Sequence, residues 1–176
     1  MPKPEFTIER LTAYSPADAA ELGILLHYES PSRPSSPLPE RVMRDAVDDP
    51  DDRTIIVARE ALSYRIVGSE SLNLIKSPDV GEAGIGRIAW LGFVCTHPSY
   101  RNRGIYSRVW RAGLEWCAER EAATLDFTSN PNAPDGLRDD AIGFYESHGA
   151  VRLNTNPYKL KIKEALEAER QADSST

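Results

Sequence analysis

The sequence predicts a mixed α/β fold, and three observations carry that prediction. Short runs near both ends of the chain alternate apolar and polar residues, as strands do. The mostly apolar stretch RIAWLGFVCT, residues 87–96, suits a buried central strand. Directly after it, from about Gly104 to Ala122, Ile105, Val109, Ala112 and Trp116 recur at helical spacing.

The elements follow in order. Phe6 to Leu11 alternates as a first strand. Ser15-Pro16 then supplies an N-cap with proline at the first helical position, and ADAAELGILLHYE continues the helix. SPSRPSSPLPE, residues 30–40, is a proline- and serine-rich loop, and ERVMRDAVDD a short second helix. RTIIVAR (53–59) and YRIVGSESLNLIK (64–76) are two strands joined by a turn. The glycine-dotted SPDVGEAGIG is another turn before the central strand. Beyond the 104–122 helix, TLDFTS is a strand, NPNAPDG a loop, and LRDDAIGFYESHG a helix whose Gly149 fits a left-handed C-cap. VRLN and YKLKI are closing strands, giving the order βααβββαβαββ. EALEAERQADSST is a charged tail that reads equally as a frayed helix or as disorder, so one domain is expected over residues 1–162 and a tail over 163–176.

Composition narrows the function. A chain of 176 residues is long enough for a substantial core, and its net charge of −6 and pI near 5.2 argue against nucleic acid or an anionic membrane as partner. No run approaches the ~20 apolar residues of a membrane span. Cys95 and Cys117 both sit in apolar patterns, as buried thiols of a cytoplasmic protein would. Three scattered histidines and two distant cysteines do not have metal-ligand spacing.

The chemistry concentrates in HPSYRNRGIYSRVW, residues 97–110. A loop entering a helix exposes unpaired backbone N–H groups at the positive end of the helix dipole, which suits phosphate. Arg101 and Arg103 add charge, and Gly104 permits close approach to the backbone. The same residues also read as a solvated basic turn before an ordinary amphipathic helix. Other phosphate loops fail: no Gly-x-x-x-x-Gly-Lys-Ser/Thr run exists, and GEAGIG (81–86) precedes a strand where a dinucleotide loop precedes a helix.

FVCTHPSYRNRGIYSRV resembles the acyl-CoA-binding motif of the GNAT acetyltransferases, Arg/Gln-x-x-Gly-x-Gly/Ala after a strand. Arg101-Asn102-Arg103-Gly104-Ile105 matches, while Tyr106 stands where a small residue is usual. DDAIGFYESHGAV resembles the family's later Ala-x-x-Phe-Tyr-x-x-x-Gly-Phe segment, with Ala150 in place of Phe. The resemblance spans Phe6 to Ile162. It implies a mostly antiparallel central sheet flanked by helices, with two central strands, RIAWLGFVCT and TLDFTSN, splayed apart. It also implies acetyl-CoA as cosubstrate, with its pyrophosphate on the backbone of Arg101, Asn102, Arg103, Gly104, Ile105 and Tyr106. The main chain of Val94 and Thr96 would meet the pantetheine arm, and Asn130 would lie beside it.

The same resemblance makes Tyr145 the candidate acid that protonates the departing thiolate, with Phe144 as packing. A primary amine near pKa 10.4 must lose a proton before it attacks. RIAWLGFVCT has no carboxylate, so Glu70 on the preceding strand is the candidate base and Asp126 another. Glu29 and His27 are candidates for the acceptor mouth, and Trp90 for substrate contact. His148 and His97 read as structural, Trp110 and Trp116 as core. Cys95, inside an apolar strand, lacks an activating base for covalent catalysis. The expectation is an acetyl-CoA-dependent N-acetyltransferase acting by direct attack of an amine of a small molecule or peptide. A non-catalytic acyl-CoA sensor and a phosphate-binding regulator are the alternatives, and a homodimer is compatible with either.

Overall fold

In the computed structural model of the protein, the described residues are 5–29, 38–77, 86–128, 137–153 and 157–174. They form β1 (Phe6–Arg10), α1 (Pro16–Glu29), α2 (Leu38–Asp48), β2 (Arg53–Glu60), β3 (Ile66–Ser77), β4 (Gly86–Thr96), a 3₁₀ turn (Pro98–Tyr100), α3 (Ile105–Glu119), β5 (Ala122–Thr128), α4 (Leu137–Ser147), β6 (Val151–Arg152), β7 (Pro157–Lys161) and α5 (Ile162–Ser174). The strands order as β1-β2-β3-β4-β5-β7-β6 in one mixed sheet. β4 and β5 pair in parallel over Arg87–Trp90 and Ala122–Asp126, whereas β1·β2, β5·β7 and β6·β7 are antiparallel. No helix among the described residues is long and apolar enough to cross a membrane.

The chain divides into two compact units. The first comprises Met1–Leu72 and Gly92–Gly113. Its core joins Leu22 and Leu25 of α1, Met43 and Ala46 of α2, and Ile55 and Val57 of β2, with Leu11, Ile66 and Cys95. Ser15 caps α1 as expected, its Oγ accepting from Asp18 N–H at 3.2 Å. The second unit comprises Asn73–Leu91 and Leu114–Thr176. Its buried side chains include Trp116, Leu125, Phe127, Tyr158 and Leu160. Phe127 and Tyr158, opposite each other in register, stack with ring centroids 5.4 Å apart.

Several boundaries differ from the sequence expectation: α2 begins at Leu38, inside the expected loop, and two further differences have a visible cause. α3 stops at Glu119 rather than running to Ala122, because Glu121 adopts a left-handed φ of 57° and its N–H bonds back to Ala118. Ala122 then opens β5. The charged segment after residue 162 is helix α5, which buries Ile162, Ala165 and Leu166. His148, following α4, ties the two helices together: Nε2 lies 3.1 Å from the Glu169 carboxylate, and Nδ1 is 2.6 Å from the Phe144 carbonyl. Gly149 has the expected left-handed φ of 87°.

Candidate functional site

In the first unit, β4 delivers the chain to α3 through a short, tightly bonded connection. His97 N–H donates to the Val67 carbonyl at 2.9 Å, and His97 Nδ1 accepts from Ser99 N–H, which caps the 3₁₀ turn. Burial first, and then the charges of Arg65 and Arg101, push the His97 imidazole below its ordinary value. His97 sits edge-on between Tyr28 and Tyr100, with centroids 5.0 and 5.4 Å away, so its part is structural. The Tyr100 hydroxyl donates to Glu60 at 2.8 Å. Hydrogen bonds from Ser63 and then Tyr100 hold the Glu60 carboxyl below its ordinary value.

Beyond this anchored turn the backbone changes character. Asn102 and Gly104 both take left-handed φ, 59° and 72°, on either side of exposed Arg103. A Cβ built on Gly104 would meet nothing within 4 Å, so the residue is glycine for its backbone angle and faces open space. Asn102, Arg103 and Gly104 are exposed, while Ile105 is buried and starts α3. The first-turn N–H groups of an α-helix have no partner within the helix. Here they lie behind an exposed loop with two left-handed residues, an arrangement able to cradle an anion. The arginines are held aside: Arg101 Nε donates to the Thr96 carbonyl at 3.2 Å, and Arg103 lies over the Tyr100 ring at 5.3 Å. The residues therefore fit a pyrophosphate bound by main chain, with side-chain charge as a supplement.

Val94 and Thr96, half-buried, precede this cradle on β4. Just before them Phe93 has φ of 50°, unusual for an aromatic residue inside a strand. Its carbonyl accepts from Ser69 Oγ at 3.1 Å, which holds the kink in place. Sequence reasoning passed over this feature, although Gly92 inside a strand pattern was the available signal.

Glu70 on β3 is 1% exposed. Burial pushes its carboxyl well above the ordinary value, opposed in part by a hydrogen bond from Tyr106. Gly113 of α3 lies directly against it: a Cβ there would sit 1.7 Å from Glu70 Oε1.

In the second unit, Tyr145 on α4 is 7% exposed and packs on Phe127, ring centroids 4.3 Å apart. Phe144 packs on the His148 ring at 4.1 Å. Trp90, Asp126 and Lys159 are register partners across β4, β5 and β7 and so share one face of the sheet. Trp90 is 39% exposed; Asp126 is 8% exposed, with Oδ2 3.6 Å from Lys159 Nζ and a buried Oδ1 that has no hydrogen-bond partner among the described residues. Trp110 and Trp116 are buried, as are Cys95 and Cys117, neither of which forms a disulfide. His27 is exposed at the end of α1. Asn130 and the Glu29 side chain lie outside the described residues. Among the described residues no cluster of His, Cys, Asp and Glu could hold a metal.

A sequence model of the acetyltransferase (GNAT) family matches residues 23–150. No curated protein matches in sequence. Many solved structures share the fold. Glucosamine-6-phosphate N-acetyltransferase from Arabidopsis thaliana is 17% identical, with 85% of this chain and 94% of that one covered at a TM-score of 0.65. A GNAT family N-acetyltransferase from Escherichia coli in complex with CoA is 14% identical, with 94% and 87% covered at 0.62. A GNAT acetyltransferase from Staphylococcus aureus is 15% identical, with 90% and 99% covered at 0.67. These likenesses establish the shared architecture.

Proposed function

Because the chain belongs to the acetyltransferase (GNAT) family, with acetyl-CoA as cosubstrate, we propose that it is an N-acetyltransferase for a primary amine of a small molecule or peptide. The observation that carries this reading is the exposed left-handed loop at Asn102 and Gly104, opening onto the first turn of α3. In the proposal the backbone of residues 101–106 holds the cofactor's pyrophosphate, and the main chain of Val94 and Thr96 aligns its pantetheine arm. Bound acetyl-CoA supplies an activated acyl group. The chain's own work is to grip that donor and orient the amine, which accounts for much of the rate of such a reaction.

Two side chains are proposed to move or meet charge. Tyr145 gives its phenolic proton to the thiolate released when the C–S bond breaks. Asp126, buried with one oxygen that has no hydrogen-bond partner among the described residues and sharing a face with exposed Trp90, supports an acceptor that arrives as an ammonium ion. The acidic net charge of −6 favours the same class of substrate, and two buried cysteines outside any disulfide suit a cytoplasmic setting. The test is thermal stabilisation by acetyl-CoA, followed by CoA release across a panel of polyamines, aminoglycosides, amino acids and peptides. Turnover on at least one amine is expected. Tight binding without turnover on any of them would make the chain a non-catalytic acyl-CoA-binding module, and no stabilisation would remove the cofactor reading.

A further inference from the structure

Three unusual choices meet at one contact in the first unit. Glu70 places a carboxyl in the apolar layer between β3 and α3, among neighbours such as Gly68 and Leu72 on the same strand face. Gly113 puts a poor helix former in the middle of α3. Tyr106 puts a bulky side chain where the cofactor motif carries a small one. Each is unfavourable alone. Together they are one device: Gly113 leaves the room that Oε1 occupies, and the Tyr106 hydroxyl donates to the carboxyl. Oε2 is buried and has no hydrogen-bond partner among the described residues.

Proton transfer from an amine is a poor use of this group. At 1% exposure the carboxyl is sealed between strand and helix, and an amine would have to part them to reach it. Its hydrogen bond with Tyr106 instead leads to the first turn of α3. Tyr106 directly follows Ile105, the first residue of that helix, and stands two positions after left-handed Gly104. Whatever fixes Tyr106 fixes the direction in which the first-turn N–H groups point.

We propose that Glu70 is a positioning residue of the cofactor site: through the Tyr106 hydroxyl it seats the first turn of α3 on β3 and aims the backbone of residues 102–106 at the pyrophosphate. The inference rests on the acetyl-CoA reading of that loop. It assigns Tyr106 a purpose: the side chain turns inward to the carboxyl, and the ligand meets its backbone.

The experiment measures acetyl-CoA dissociation constants by calorimetry and kcat at saturating acetyl-CoA for wild type, Y106F, E70L and E70Q. Y106F removes only a hydroxyl from a half-buried side chain, so it remains informative if E70L does not fold. Y106F is expected to bind acetyl-CoA about tenfold more weakly, the effect of losing one bond to a buried polar group, with kcat changed less than twofold. E70Q, which still offers an acceptor to Tyr106, is expected to recover most of the affinity lost in E70L. Wild-type affinity should also decline as rising pH ionises Glu70, whose charge would have to be hydrated, and E70Q should lack that decline. Tyr106 is the titratable group facing Glu70 from α3; Gly113 and Leu72, which also close on it, carry no charge. Undiminished affinity in Y106F would overturn the proposal, as would a loss confined to kcat. A wild type that does not bind acetyl-CoA would instead overturn the cofactor reading beneath it.

Discussion

Tyr145 and Phe144 are adjacent, yet their surroundings divide the work between them. Phe144 lies against His148, whose ring nitrogens link α4 to α5, so it belongs to the packing of two helices. Tyr145 lies against Phe127 of β5 and is nearly buried, which restricts its ring to one orientation. A fixed phenol is what a proton donor to a departing thiolate needs, because the transfer works only at hydrogen-bond distance. Y145F keeps the ring and its packing and removes the proton. Turnover should fall at least tenfold, with the acetyl-CoA dissociation constant nearly unchanged. Equal turnover in steady-state assays of Y145F and wild type would take Tyr145 out of the mechanism. Asp126 differs from both: its Oδ2 lies 3.6 Å from Lys159 Nζ, and its buried Oδ1 has no hydrogen-bond partner among the described residues.

At the scale of elements, the contact between β3 and α3 governs how the cofactor loop is held. Replacing a mid-helix glycine by alanine ordinarily stabilises a helix by about 1 kcal/mol. At Gly113 the sign should reverse, because the new Cβ would stand 1.7 Å from Glu70 Oε1 and 3.2 Å from Leu72 Cδ1. The new Cβ would displace the carboxyl from its place beside Tyr106 inside a buried layer, so G113A should cost roughly 1–3 kcal/mol, as overpacking does. The pair should be strongly non-additive: in an E70A background the same substitution should be neutral or stabilising. Urea unfolding of the four chains checks this, and additive free energies would refute the close contact.

That same contact marks where sequence reading stopped. The strand, loop and helix around residues 87–119 were legible because periodicity and Gly104 are local signals, and the caps at Ser15 and Gly149 were legible for the same reason. Glu70 could be named as an unusual carboxylate on a strand, but its neighbours Tyr106 and Gly113 are distant in sequence, and only packing brings them together. The kink at Phe93 depends on a bond from Ser69 on the neighbouring strand. α5 was half legible: the charge of the segment left a frayed helix and disorder equally open, and the burial of Ile162, Ala165 and Leu166 comes from packing.

For the molecule as a whole, the buried carboxyl sets the sign of a pH dependence. A raised pKa means the folded chain keeps a proton that the unfolded chain releases. Glu70's contribution is therefore most favourable in acid and is lost as pH rises from the ordinary carboxylate range toward the folded-state value. Within that window one such group lowers stability by up to about 1.4 kcal/mol per pH unit. The other displaced groups act elsewhere. Glu40 and Glu60 have lowered values, so their contributions are full above the carboxylate range and lost only in acid. His97, lowered from 6.5, adds stability as pH climbs to that point and is constant above it. Tyr100, raised from 10.0, loses its contribution only in stronger alkali. Above the ordinary carboxylate range, and below the alkali in which Tyr100 titrates, the descending contribution among these groups is thus Glu70's. Repulsion in a chain of net charge −6 is shared by wild type and an E70Q variant, so it cancels in their difference. Unfolding free energies at several pH values across that range should show E70Q gaining on wild type as pH rises. Parallel curves would mean that Glu70 does not hold its proton in the folded chain.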